Sequence, residues 1–452
     1  MSGFIFSLFL IAAGGYCAYR LRFFCFLHPI SAIKTLWARE THGGDAAYSP
    51  FRALTVALAG TLGVGNITGV AAAILLGGSG ALFWMWVSAL FTMLIKYAEV
   101  YLAVITRQER NEGGHTRYFG GPMRYLGMLR GGGVWAVLFC FLCIAASVVQ
   151  GNLLQATAAI SCVVHTFDVS AVMVSAVFCI AAAWLIFGGR GRIAAFCASM
   201  IPLMSALYFV MCTVVILRCA AQVPAVFADI FENAFSLQAV GAGGGASMLL
   251  AMRHGCAKGV FTHEAGCGTA PISHAGAATS RPEKQAVLGI AEVFVDTMVL
   301  CTVTGLVLLL SGVGELPLGA EYDFQGVVLD AFRMWFGNRA AVFLSVSIVF
   351  YAFAALVCWS FYGTECLSYL LSDCGEIVTK RGVTVYLSFY VLCTFIGAWA
   401  DPAQLWQISD GLTMAMTALN TCGVMVLMRR VKVPMLCAKE HVVCPGKRKK
   451  HS

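Results

Sequence analysis

A hydrophobic stretch of membrane-spanning length, Leu54 to Leu76, is interrupted by the run Gly60-Thr61-Leu62-Gly63-Val64-Gly65-Asn66-Ile67-Thr68-Gly69-Val70. Its four glycines and one asparagine make a poor helix in water and a worse one in lipid, where freed N–H and C=O groups find no solvent. Broken backbone at bilayer depth is stable only inside protein or along a cavity wall. Secondary transporters hold substrates and coupling ions at such breaks. Close helix–helix approach is the other use of small residues in a membrane span.

The surrounding sequence supplies the protein in which to bury the break. Hydrophobic residues make up 60% of 452 and charged residues 12%, the composition of an integral membrane protein. Apolar runs long enough to span a bilayer occur at 3–19, 51–77, 80–106, 134–163, 171–187, 193–217, 237–253, 286–311, 339–367, 383–399 and 403–428. The seventh holds Gly241, Gly243, Gly244 and Gly245 and is expected to be broken like the second. No basic residues precede the first run, and Arg20 and Arg22 follow it. It therefore reads as a retained helix with its N-terminus outside.

Alternation from there places 20–52, 107–133, 189–192, 253–285, 368–383 and 429–452 on the cytoplasmic side of the cell (plasma) membrane. Those segments hold 26 of the 30 Lys and Arg, a strong positive-inside bias that puts the C-terminus in the cytoplasm. The net charge of +8 is thus an orientation signal, and no nucleic-acid partner is implied. The 19 cysteines are scattered through apolar spans as small hydrophobes. Cys256, His263, Cys267 and His274 lack zinc-site spacing. No GxSxG or HExxH motif points to an enzyme, and no cytoplasmic segment is long enough for the output domain of a sensor.

The predicted organisation is an all-α polytopic protein of about 11 transmembrane helices. A leading helix and connector (1–50) precede a first five-helix repeat (51–217), a second (237–428) and a basic tail (429–452). The broken spans stand first in each set of five, the sequence pointer to inverted repeats around a midplane site.

The ordered text of the chain resembles the alanine/glycine:cation symporters, also called sodium:alanine symporters. Gly60–Val70 is followed by Gly77-Gly78-Ser79-Gly80-Ala81-Leu82-Phe83-Trp84-Met85-Trp86-Val87 and Lys96-Tyr97-Ala98-Glu99-Val100. Then come Gly120-Gly121-Pro122-Met123, Gly151-Asn152 with Gln155, and Gly259-Val260-Phe261-Thr262-His263-Glu264-Ala265-Gly266. Glu292-Val293-Phe294-Val295-Asp296-Thr297 and Tyr351-Ala352-Phe353 with Trp359 and Tyr362-Gly363 complete the series. The resemblance implies a leucine-transporter-type five-plus-five fold with one extra leading helix. It further implies import of alanine or glycine with a cation, sodium by analogy, by alternating access.

Unwinding after Leu62 would expose N–H groups of Val64 and Gly65, beside Gly63, to a substrate carboxylate at the positive end of a half-helix; the resemblance places the carboxylate there too. Gln155, mid-span, is expected to donate to the substrate, with an interhelical hydrogen bond as the competing use. The seventh-span break at Gly241, Gly243 and Ser247 would accept from the ammonium, and Trp359 would line the pocket. Carbonyls of Ala59, Thr61 and Leu62 with the Asn66 amide would form a cation cage, to which the ninth span adds Ala352 and Ala355. Lys96 and Glu99, at i,i+3, are expected to pair with each other or to lie near the cytoplasmic end of the span. Structural pairing is the default expectation for Glu264, Glu292, Asp296 and Asp410, with a gate or proton-carrier role as the alternative for any of them. Residues 259–278 read as a cytoplasmic gate or re-entrant element.

Three departures stand out. Val64 replaces the family's usual Thr, Ala354-Ala355 its Ser-Thr pair, and Gly243-Gly244 a Phe of the seventh-span break. Lost hydroxyls weaken a sodium cage, since a hard cation needs oxygen ligands in place of its water shell. The rival reading keeps the fold and makes the chain a proton-coupled or uncoupled carrier of a different small amino acid or zwitterionic solute.

Overall fold

The computed structural model describes residues 2–27, 29–30, 34–35, 49–112, 115–236, 248–319 and 322–434. Apart from one hairpin, Gln108–Glu112 with His115–Phe119, the described secondary structure is helical. Among the described residues, eight helices are long and apolar enough to cross a membrane. Burial is arranged for lipid: Val134, Phe141, Val177, Ile180 and Trp184 are exposed on the outside, whereas Lys96, Glu99, Glu292 and Asp296 are wholly enclosed. Intramembrane charges are stable only when turned inward to partners.

The first helix, α1 (Ser2–Arg20), leads into the broken second span. That span is two helices, α2 (Pro50–Thr61) and α3 (Thr68–Gly77), joined by a tight turn over Val64–Asn66. Ser49 caps α2 by accepting from the Arg52 N–H at 3.2 Å, and Pro50 occupies its first turn, both ordinary start signals. The helix stops because Leu62 and Gly63 leave helical geometry. The unbroken α4 (Ala81–Thr106) is the spine against which α1, α10 and α12 pack.

Next come α5 (Gly132–Val148), α6 (Leu154–Phe167), α7 (Ala171–Ile186), α8 (Arg190–Arg218) and the amphipathic α9 (Val223–Ala234). A wide-turn segment, Val149–Leu153, joins α5 to α6. The chain continues through α10 (Met248–His263) and the short α11 (Ala270–Ala275). Then α12 (Pro282–Val293) passes through a second wide-turn segment, Phe294–Cys301, into α13 (Thr302–Leu310). The remaining helices are α14 (Phe324–Phe336), α15 (Asn338–Leu370), α16 (Glu376–Ile396) and α17 (Pro402–Leu427). Such π-type turns are frequent at functional sites.

Three expectations take definite form here, one of them as a correction. Residues 253–263, at the start of the segment assigned to the cytoplasmic side, form the end of α10, with Lys258 and His263 enclosed. The re-entrant element over 259–278 resolves into the end of α10, an irregular turn and α11. Glu264, Gly266 and Gly268 in that turn have positive φ (49°, 84° and 89°), a conformation glycine adopts freely and Glu rarely. Finally, Lys96 pairs with Glu292 on α12 at 3.3 Å rather than with Glu99. Its neighbour Glu99 instead accepts from the Gly266 N–H at 3.2 Å and from Asn420 Nδ2 at 2.7 Å, pinning the turn. An i,i+3 spacing makes contact available, and the better-placed partners across the helix interface take it.

Candidate functional site

Four elements converge on the Val64–Asn66 turn. From α6, Gln155 Oε1 accepts from the Val64 N–H at 3.1 Å, while Gln155 Nε2 donates to the Gln150 carbonyl at 3.3 Å. The amide thus spans the gap between the broken helix and the Val149–Leu153 segment. From α15, Trp359 Nε1 donates to the Gly60 carbonyl at 3.3 Å, and its ring lies against Gly151, whose lack of a side chain makes room for it. A Cβ on Gly63 would stand 2.8 Å from Gln155 Oε1 and 3.2 Å from the Ala355 methyl. On Gly65 it would stand 2.9 Å from the Phe261 ring of α10. Glycine at both places is therefore a condition of this packing.

A second polar cluster adjoins the turn. Asn66 Nδ2 donates to Asp296 Oδ1 at 2.5 Å, and Thr297 Oγ1 donates to Asp296 Oδ2 at 2.9 Å. Thr262 Oγ1 lies 3.5 Å from Thr297 Oγ1. Asn66 Oδ1 is buried with no partner among the described residues. A buried, unsatisfied oxygen next to a dry carboxylate costs free energy that a cation would recover. The wide turn over Phe294–Cys301 is what brings Asp296 and Thr297 to face Asn66.

Phe261 and Trp406 pack beside the turn with ring centroids 4.8 Å apart and planes tilted by 49°. Lys258 Nζ lies 4.2 Å from the Trp406 ring and bonds both Asp410 oxygens at 2.9 and 2.8 Å. The remaining buried acids are partnered as expected: Glu292 meets Lys96 and, at 3.1 Å, His274 Nε2, and Thr269 donates to Glu264.

Of the expected site residues, the structure brings together Gly63, Val64, Gly65, Gln155, Trp359 and Ala355. Gln155 accepts from the break rather than presenting a free donor to it. Gly241, Gly243 and Ser247 lie outside the described residues, as does most of the seventh span. The expected cage divides in two. Asn66 turns to Asp296, while Ala59, Thr61 and Leu62 belong to the end of α2, a helix that packs against α15. Thr61 Oγ1 folds back on the Ala57 and Leu58 carbonyls at 3.4 Å each. Ala352 is buried one turn before Ala355. The sequence reading missed Phe261, Thr262, Thr297 and Trp406 and took Asp296 for a structural acid; its signal was the position one turn after Glu292 in an apolar span.

The sodium:alanine symporter family profile matches residues 1–439. The sodium/alanine symporter AgcS of Methanococcus maripaludis is 34% identical over 430 residues, covering 92% of this chain and 90% of that protein. Among solved structures, MhsT in complex with L-phenylalanine superposes with a TM-score of 0.60 at 13% identity, covering 84% of this chain and 89% of its own. A Na+-coupled sialic acid symporter does so with a TM-score of 0.57 at 11% identity, covering 93% and 86%. These likenesses establish the leucine-transporter-type fold. The chain belongs to the sodium:alanine symporter family and is a multi-pass membrane transporter.

Proposed function

We propose that this transporter imports a small neutral amino acid, alanine or glycine, by alternating access with sodium as the coupling cation. The observation that carries the reading is the Val64 N–H held by Gln155 Oε1 at 3.1 Å. A substrate carboxylate offers that N–H the same acceptor with a full charge. It would displace the amide oxygen and gain the neighbouring Gly65 N–H and the positive end of α3. Gln155 Nε2 is then positioned to donate to it. Phe261 and Trp359 confine the space beside the break, which favours a small side chain.

The cation would be held by Asn66 Oδ1, Asp296 and Thr297 Oγ1, an oxygen set suited to a hard ion. Asn66 is two residues from Val64, so substrate and cation would order the same turn. Each then lowers the cost of binding the other. On the Ala352–Ala355 side the cage keeps backbone oxygens but no hydroxyl, so we assign the ion to the Asp296 side. By the charge pattern, the N-terminus faces outward and the C-terminus inward.

The test is uptake of radiolabelled alanine and glycine into proteoliposomes under an inward sodium gradient, an inward proton gradient, and neither. Sodium-dependent accumulation is the expected result. Accumulation driven by protons alone, or uptake indifferent to both gradients, would transfer the assignment to the rival carrier.

A further inference from the structure

One face of α17 is polar along most of its length and buried throughout. Trp406, Ser409, Thr413, Thr417 and Asn420 are each no more than 5% exposed. At 100° per residue they fall, with Asp410, within an arc of about 100°. Trp406 Nε1, Ser409 Oγ and Thr417 Oγ1 have no nitrogen or oxygen partner among the described residues, and Thr417 has only the Cys267 thiol beside it. Three such atoms on one helical face are unusual, because buried polar atoms in native proteins are nearly always satisfied by protein or by ordered water.

The stripe has defined ends. At one, Asp410 pairs with Lys258 and keeps a third of its side chain exposed. At the other, Asn420 Nδ2 donates to Glu99 and its Oδ1 accepts from Tyr125. Between them Thr413 Oγ1 donates to Gln150 Oε1 at 2.7 Å. The Gln150 carbonyl in turn holds Gln155, so the stripe reaches the broken helix at its midpoint.

We propose that this face of α17 carries a single file of bound water from Asp410 to the Glu99 end. The spacing fits. Hydroxyls at i and i+4 are about 6 Å apart along the axis, roughly twice an O–H···O distance of about 2.8 Å. One water therefore bridges Ser409 to Thr413, and another Thr413 to Thr417. From Asp410 to Asn420 the file covers about 15 Å of a hydrocarbon core about 30 Å thick. It ends at Asn420, whose amide links it to the buried Glu99 at 2.7 Å. The inference is independent of which solute is carried.

The test is X-ray hydroxyl-radical footprinting of the full chain in lipid nanodiscs, where radicals formed from bound water oxidise adjacent side chains. Trp84 and Trp359 are internal controls. They are similarly buried, at 8% and 1% exposure, but their N–H groups are taken by the Ala234 and Gly60 carbonyls. Trp406 is expected to oxidise at least fivefold faster than either, and Ser409→Ala with Thr417→Val to bring its rate down to theirs. Equal rates for the three tryptophans in the wild type would overturn the proposal. So would an unchanged Trp406 rate in the double variant with Trp84 unaffected. If the double variant unfolds, seen as a rise at Trp84, the wild-type comparison decides alone.

Discussion

Asp296→Asn is the perturbation that bears most directly on the cation assignment. Asp296 is fully enclosed and Asn66 is 4% exposed, so water screens little of what passes between the carboxylate and an ion beside it. An asparagine of the same shape still offers an oxygen to Asn66 Nδ2, which preserves the contact and the fold. What goes is one negative charge. Hydrogen-bond data for charged groups put that loss at about 1.5–3 kcal/mol. Coulomb's law at about 4 Å and an effective dielectric of about 20 sets a ceiling near 4 kcal/mol. At about 1.4 kcal/mol per decade, the half-saturating sodium concentration should rise about 10- to 100-fold. Sodium titration of alanine uptake in proteoliposomes measures it, with incorporation checked by quantitative blot. A half-saturation within twofold of wild type, at normal incorporation, would refute the reasoning. An unchanged sodium curve with an altered proton dependence would reassign the carboxylate as a proton site.

Lys96→Met should destabilise the protein by about 3–5 kcal/mol, because it leaves Glu292 buried with only His274; adding Glu292→Leu should restore most of the loss in denaturant unfolding. Failure of the second change to restore stability would mean that the pair is not the unit of interaction. Gly65→Leu should abolish uptake at normal membrane expression, since its Cβ alone meets the Phe261 ring at 2.9 Å; an active variant would remove the break from the transport site. Gln155→Ala should lower unliganded stability by about 1–3 kcal/mol by orphaning the Val64 N–H. Alanine should then stabilise this variant more than it stabilises wild type, and an equal thermal shift would count against displacement of the amide by carboxylate.

Much of this architecture is legible in the sequence because lipid is an exacting solvent. Glycines at 60, 63 and 65 within an apolar run point either to a break shielded by protein or to a close helix contact, and the structure has α2 stop at Thr61 and α3 begin at Thr68. Gln155 reads as polar at mid-span and does reach the break. Its role as acceptor was hidden, because an amide carries both chemistries and only geometry selects one. The two wide turns, over 149–153 and 294–301, leave no mark in hydropathy. They cost a residue's worth of register within unbroken apolar helices, and it is that shift which turns Asp296 toward Asn66.

The burial of Lys258 on α10 has a different cause. Arg253 and Lys258 look like cytoplasmic charges, because a charge count cannot tell a solvated lysine from one with a dedicated partner. Lys258 has Asp410 at 2.8 Å and an aromatic face at 4.2 Å, and Lys96 has Glu292 at 3.3 Å, so both stay enclosed within the protein. In this chain the buried charges are sorted by the partners that helix packing brings to them. Two lysines that weaken a hydropathy reading thereby mark the walls of the site: one ties α4 to α12, which continues into the Asp296 turn, and the other closes α10 on α17 above the broken helix.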